Sequence, residues 1–405
     1  MPNVSEWITE KNNNDWWIYV KRLSANDTGL TGGHQVGVYI PIGVMDTLFP
    51  SISQKDVFNP DHLLKAKVTS HSLPEQTLRA IYYNNKFHGK GPKGRNEKRI
   101  TRWKQGITDT PLQDPESTGG LAVFAFHLPA LGIDSEFLDI WICSNLEEEE
   151  IFESHFGEVV PGNWSFERAD LIFGGFTPST STESSNIELP PLWLKQFPSG
   201  IELIEYLNTA FRFQESTPDE LIIKRREAEF KLFRQLEEAH VLSDIQKGFN
   251  SVDDFIKLAN SVSNRRKSRS GRSLEIHLED IFNQYGLTHF GTQCVTEGRK
   301  KPDFLFPSCE AYHDSSYPEE KLRMLAVKTT CKDRWRQTLN EANRIDQIHL
   351  FTLQEGVSQN QFAEMRTENV NLVVPKRLHK KYPKEIRGKL MSLEDFIHQT
   401  KEIYA

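Results

Sequence analysis

Cysteine is scarce. The 405 residues hold Cys143, Cys294, Cys309 and Cys331, with no C-x-x-C pair among them. That spacing argues against a zinc site and favours a reducing, cytoplasmic compartment. No apolar run approaches the roughly 20 residues of a membrane span. The polar start, Met1 to Asn14, lacks the apolar centre of a signal peptide. No internal repeat and no P-loop are present. Gly32-Gly33…Gly37 and Gly89…Gly91…Gly94 read as turn glycines, because neither group opens a clear helix after a strand. Positive charge is not in excess either: the formal net charge is −7. Contact with nucleic acid would therefore have to rest on local basic patches.

The length predicts two or three domains, each with its own core. Early in the chain, Trp16-Trp17-Ile18-Tyr19-Val20 is aromatic and β-branched, hence a strand. Turn chemistry follows, and Val36-Gly37-Val38-Tyr39-Ile40 reads as a returning strand with His34 just before it. Further strands are expected at Ala66–Ser70, Leu78–Tyr83, Leu121–Leu128 and Phe137–Cys143. A helix is expected to begin at Glu147–Glu150. Many short strands separated by turns suggest a β-barrel or sandwich. The densest basic run is Lys86, Lys90, Lys93, Arg95, Lys98, Arg99, Arg102 and Lys104, with Glu97 embedded in it. Such a run is either a solvated loop or a phosphate-binding patch. Arginine can also pair with guanine, and an acid can accept from cytosine N4.

Gly174 to Ser185 has almost nothing to bury and reads as a linker ending at Pro190-Pro191. This sets the expected domains at 1–175, 176–195 (linker) and 196–405. The second half opens helix-rich. A long helix is expected from Pro218 to about Ala239 and a short one over Val252–Ala259. A second basic loop is expected at Asn264–Arg272, followed by a helix through Ser273–Phe282. Leu274, Leu278 and Ile281 form that helix's apolar stripe, with Glu275 beside it as either a surface or an active-site carboxylate.

The chemistry centres on Lys300 to Glu341. Asp303 stands where the strand Phe304-Leu305-Phe306 begins, just after Pro302. Lys328 closes the apolar run Met324-Leu325-Ala326-Val327, and a helical reading carries the chain on to Glu341. Two carboxylates able to hold Mg²⁺, with a partly desolvated lysine between them, are what phosphodiester hydrolysis needs. A strand-end lysine that merely reaches solvent is the alternative reading of Lys328.

The pattern P-D-x…A-V-K resembles the PD-(D/E)-x-K nucleases, with Ala326 where the second acid normally stands. In a subset of that superfamily the acid moves to a later position, which Glu341 occupies. Lys332-Asp333-Arg334 resembles the triplet with which that subset reads C·G pairs. Longer strings narrow the match: K-R-L-S-A-N-D-T-G, T-G-G-H-Q-V-G, R-N-E-K-R-I-T-R-W, K-K-P-D-F-L-F-P-S and L-A-V-K-T-T-C-K-D-R-W-R-Q resemble the EcoRII-type (Type IIE) restriction endonucleases over nearly the whole chain. The resemblance implies a multidomain fold: an N-terminal β-rich DNA-binding pseudobarrel and a C-terminal α/β restriction-endonuclease-like domain. It implies a bacterial homodimer that makes Mg²⁺-dependent double-strand breaks at 5′-CCWGG, with Asp303 and Glu341 as metal ligands. It further implies that the N-terminal domain binds an effector copy of the site through His34, Tyr39, Lys93, Arg95, Glu97, Lys98 and Arg99, and covers the nuclease cleft until DNA is bound.

Two other readings stay open at this level. Tyr312, with His313, Arg323, Arg334 and Arg336 nearby, could be the nucleophile of a DNA strand-transfer enzyme, or could line the nuclease site. The N-terminal patch alone would also suit a DNA-binding regulator without catalysis.

Overall fold

The computed structural model describes residues 3–404 except 32–36, 90–95, 104–109, 174–188, 212, 214–216 and 249–250; along parts of two long helices only the backbone is described. His34, Lys93, Arg95 and the expected linker segment therefore lie outside the described residues. The chain forms two compact units, Met1–Thr180 with Glu355–Ser358, and Ser181–Gln354 with Gln359–Ala405.

The first unit is a β-rich pseudobarrel built on one seven-stranded sheet. Its strands are β1 (Trp16–Arg22), β2 (Asp61–Val68), β3 (Gln76–Asn84), β4 (Asn96–Thr101), β5 (Leu121–His127), β6 (Phe137–Ile142) and β7 (Trp164–Arg168), in the order β4-β3-β2-β6-β5-β1-β7. Only the β2–β6 pair is parallel among those described. Both faces of the central strands are buried, which is why they read as unbroken apolar runs. On β5, Ala122, Phe124 and Phe126 enter one core with Tyr19 of β1. The alternate residues Leu121, Val123 and Ala125 enter the other with Ile18 and Val20. Helices α1 (Val4–Lys11), α3 (Leu146–Phe156) and α4 (Ala169–Phe173) contribute Trp7, Phe152 and Ile172 to this second core. Helix α2 (Ile42–Leu48) contributes Val44, Met45 and Leu48 to the first.

One expected strand is not found among the described residues. Gly37–Ile40 joins no sheet, and the chain turns into α2 straight after Pro41. The apolar Val38 and Ile40 are buried by packing rather than by a ladder.

The second unit is α/β. Its sheet has the order β12-β11-β10-β9-β8, from β8 (Gly291–Thr292), β9 (Phe304–Phe306), β10 (Arg323–Lys328), β11 (Ile348–Thr352) and β12 (Val370–Val373). Strands β10, β11 and β12 run parallel, and β9 lies antiparallel to β10. Helices α5 (Gly200–Ala210), α6 (Pro218–Lys247) and α7 (Val252–Gln284) precede the sheet. The stripe Leu274, Leu278 and Ile281 packs on Leu325, Val327 and Phe351 of the strands, together with Phe396 of the final helix Leu393–Tyr404.

Helix α7 is one element of 33 residues. It replaces the expected short helix, basic loop and second helix: Asn264–Arg272 continues the helical backbone. Gly271 lies inside it, and a glycine costs only about 1 kcal/mol within a helix. A buried polar group locks α7 to α6. Glu229 accepts from Arg226 at 2.7 Å and from the Ser273 hydroxyl at 2.5 Å, and its carboxylate lies 3.0 Å from His277 Nε2.

Candidate active site and DNA interface

The antiparallel register of Phe304 against Leu325 carries Asp303 alongside the end of β10. There Asp303 Oδ2 accepts the Val327 backbone N–H at 2.7 Å and lies 3.6 Å from Lys328 Nζ. Asp303 is buried and Lys328 is mostly so, its side chain 21% exposed. The carboxylate is therefore held by strand geometry, with one cation beside it.

Glu341 reaches the same group by a route the sequence did not suggest. After β10 comes a 3₁₀ turn, Arg334–Thr338, and then Asn340 in a left-handed conformation at φ 63°. Glu341 thus sits in a turn, not on a helix: five residues of 3₁₀ geometry end before it, and Leu339 is already extended. Its Oε2 is buried without a hydrogen-bond partner. Burial pushes its pKa up to about 7; the negative Asp303 adds to the rise, while Lys328 and Lys300 oppose it. Glu275 of α7 behaves alike. Burial pushes it to about 7, Asp303 contributes, and Lys328, Arg272 and a 3.2 Å hydrogen bond from Gln293 oppose. Both glutamates respond to the same aspartate and lysine, so the four side chains form one electrostatic group.

The donors suit a hard divalent cation. Three carboxylates share Lys328 as their common cation, two are reluctant to ionise unaided, and one oxygen has no partner. Among the described residues no three His, Cys, Asp or Glu side chains close into a ready cage. Mg²⁺ does not need one, since it keeps several waters and takes one or two carboxylates.

Tyr312 is occupied elsewhere. Its buried hydroxyl donates to Glu297 Oε2 at 2.6 Å, and its pKa is pushed up to about 12 by burial and by that carboxylate. Such a phenol is a poor nucleophile at neutral pH. Lys332, Asp333 and Arg334 lie half-buried in the turn after β10. The backbone N–H groups of Cys331 and Lys332 both donate to Gln354 Oε1, at 2.8 and 3.0 Å, and Arg336 lies 3.9 Å from Asp333. Gln354 carried no sequence signal, and neither did Glu297. Cys294 and Cys309 are joined as a disulfide, which their scattered spacing concealed.

In the first unit the basic run divides by strand parity. Glu97 and Arg99 of β4 pair with each other at 3.1 Å. Lys98 turns the other way: its buried ammonium contacts Asp46 and the Ser53 hydroxyl, 5.2 Å from the Tyr82 ring. Tyr39 is 62% exposed. Its backbone is fixed from beneath, its N–H donating to Asp27 Oδ1 at 2.8 Å and its carbonyl accepting from the Tyr19 hydroxyl at 3.1 Å. Asp27 is fully buried, 2.6 Å from Lys21 Nζ, and also accepts from Ser24 N–H and Oγ. The S-A-N-D turn could have revealed this anchor, because such an aspartate commonly caps its own turn.

A family model described as EcoRII C terminal matches residues 233–397, and one described as Restriction endonuclease EcoRII, N-terminal matches residues 12–170. The Type II restriction enzyme EcoRII of Escherichia coli is 52% identical over 399 residues, covering 98% of this chain and 97% of that protein. Two solved structures of metal-depleted Ecl18kI are also similar. The complex with uncleaved, modified DNA has TM-score 0.43 and 19% identity, covering 52% of this chain and 79% of the other. The complex with uncleaved DNA has TM-score 0.42 and 20% identity, covering 52% and 80%. The class is that of the type II restriction endonucleases, site-specific deoxyribonucleases that hydrolyse phosphodiester bonds. Within that class, the chain belongs to the EcoRII family.

Proposed function

We propose that this enzyme makes Mg²⁺-dependent double-strand breaks at 5′-CCWGG in the bacterial cytoplasm, as a homodimer, and is activated by an effector copy of the site. The observation that carries the catalytic part is Asp303 Oδ2 held 3.6 Å from Lys328 Nζ and 2.7 Å from the Val327 N–H, with the buried, unpartnered Glu341 Oε2 supplying a second acid. Asp303 and Glu341 would hold the ion. When bound there, the ion would supply charge neutralisation for the phosphoryl oxygens and help to activate a water. Lys328, beside Asp303, orients the attacking water and adds positive charge where the transition state gathers negative charge. Glu275 lies close enough to Asp303 and Lys328 to feel both charges, and serves as an outer carboxylate. Lys332, Asp333 and Arg334 read C·G pairs: cations suit guanine O6 and N7, and an acid suits cytosine N4.

The proposed organisation is an effector domain at 1–175, a linker at 176–195 and a catalytic domain at 196–405. Effector contacts are assigned to His34, Tyr39, Lys93, Arg95, Glu97 and Arg99. Lys98, buried against Asp46, supports β4, the strand that carries Glu97 and Arg99. The commitment of the Tyr312 hydroxyl to Glu297 weighs against strand transfer through a phosphotyrosine. Digestion of a plasmid carrying several CCWGG sites, with and without Mg²⁺ and followed by end sequencing, tests the proposal. Cleavage undiminished by EDTA, or ends at unrelated sequences, would refute it.

A further inference from the structure

Glu341 belongs to no helix and no strand, so no backbone ladder holds it. Its own N–H donates to Thr338 O at 3.3 Å, and three further contacts on the segment come from one tight turn. That turn, Thr296 to Lys300, is closed by Thr296 N–H donating to Lys300 O at 2.9 Å, with Gly298 left-handed at φ 67°. The Thr296 hydroxyl donates to the Glu341 carbonyl. Lys300 Nζ donates to the preceding carbonyl, Asn340 O, at 3.0 Å. On the far side, Asn343 N–H reaches Glu297 Oε2 at 3.4 Å, the oxygen that also accepts the Tyr312 hydroxyl at 2.6 Å. Arg344 then binds the carbonyls of Tyr312, of Asp314 at 2.9 Å and of Tyr317 at 2.8 Å.

Thr296 and Lys300 thus hold the carbonyls of Glu341 and Asn340, and Glu297 and the Arg344 side chain fix the residues that follow, while Glu341 Oε2 is left without a partner. Three residues beyond the turn, the same segment delivers Asp303. We propose that the Thr296–Lys300 turn, braced by Tyr312 through Glu297, is the positioning device that sets Glu341 against Asp303. Tyr312 is then a positioning residue acting on the carboxylate pair through two hydrogen bonds. The inference rests on Glu341 being a metal ligand, as proposed above.

The test is to compare Thr296→Val, Tyr312→Phe and Glu341→Gln with the unaltered dimer. Two readings are taken: calorimetric Ca²⁺ binding to the enzyme bound to a CCWGG duplex, and the Mg²⁺ concentration for half-maximal single-turnover cleavage. Loss of a group that orients a metal ligand typically weakens metal affinity about 10- to 100-fold. Thr296→Val and Tyr312→Phe should each show such a loss in both readings, with metal-free DNA binding unchanged and Thr296→Ser close to wild type. If a variant proves too unstable to assay, Glu297→Gln keeps the shape of the turn and should weaken metal binding in the same way. Wild-type Ca²⁺ binding in the turn variants, with binding lost in Glu341→Gln, would overturn the positioning role alone. Wild-type metal dependence in Glu341→Gln would remove the assignment of Glu341, and the positioning role with it.

Discussion

Asp303 offers a single oxygen, Oδ2, to both the Val327 N–H and the neighbouring Lys328 ammonium. The strand that delivers the lysine therefore also aims the aspartate, and the two cannot be displaced independently. Lys328→Ala should leave binding to a CCWGG duplex near wild type and lower cleavage by about 10³-fold, within the range for loss of one transition-state donor. Asp303→Asn keeps the acceptor for Val327 and should lose cleavage as fully. Gel shift in Ca²⁺ alongside single-turnover cleavage in Mg²⁺ reads both effects. A Lys328→Ala enzyme with intact cleavage would point to a protein that works without this site.

The two raised glutamates make a prediction about protons. Glu341 and Glu275 have folded-state pKa values of about 7, above the ordinary 4.5. A carboxyl raised in this way favours the fold while protonated, fully so below its unfolded pKa, and that benefit is lost as pH rises through about 7. Without metal, Glu341→Gln and Glu275→Gln should therefore raise Tm at pH 8, with the gap closing by about pH 5. Mg²⁺ competes with the proton for the same oxygens. Below pH 7 the half-saturating Mg²⁺ should rise by up to about tenfold per pH unit for each carboxylate that must ionise. Melting curves and Mg²⁺ titrations across pH 5 to 8 check both.

Strand parity separates two neighbours in the first unit. Arg99→Ala should weaken effector-DNA binding and lower the salt dependence by about one phosphate's worth, if it contacts the backbone. Lys98→Met should instead lower Tm, because it strips the partner from Asp46 and Ser53, and should leave the salt slope unchanged. Salt titrations of binding and melting of the isolated variants distinguish the two outcomes.

Removal of residues up to about Pro190 should yield a nuclease that cuts DNA carrying a single site as readily as DNA carrying several. The intact chain should need the additional copies. Cleavage rates on one-site and multi-site plasmids decide it. A truncated enzyme still dependent on a second site would refute autoinhibition.

Much of the fold was legible from periodicity. The runs at Trp16, Leu121 and Phe137 were visible because both faces of the sheet are buried, and the stripe Leu274, Leu278, Ile281 because α7 lies on strands. The strand placements of Asp303 and Lys328 followed from the apolar runs they bound. Three features were not legible. Glu341 looked helical because the residues before it suit a helix, yet the turn is set by contacts with Thr296 and Lys300, distant in sequence. Asn264–Arg272 looked like a loop because basic and serine-rich text is common in loops, while the chain runs through it as one helix from Val252 to Gln284. Lys98 looked like its neighbours in a basic run, and only the register of β4 against β3 turns it inward.

The unbroken backbone of α7 turns Glu275 into a matter of phase. Ser273 and His277, bonded to Glu229, clamp the rod's rotation at positions two residues before and two after the glutamate. Each residue advances a helix by about 100°, so one residue inserted between Ser273 and His277 would swing the carboxylate to another side of the rod. One inserted well upstream could be absorbed before the clamp. Length variation among related chains should therefore be tolerated before Ser273 and forbidden within that short window.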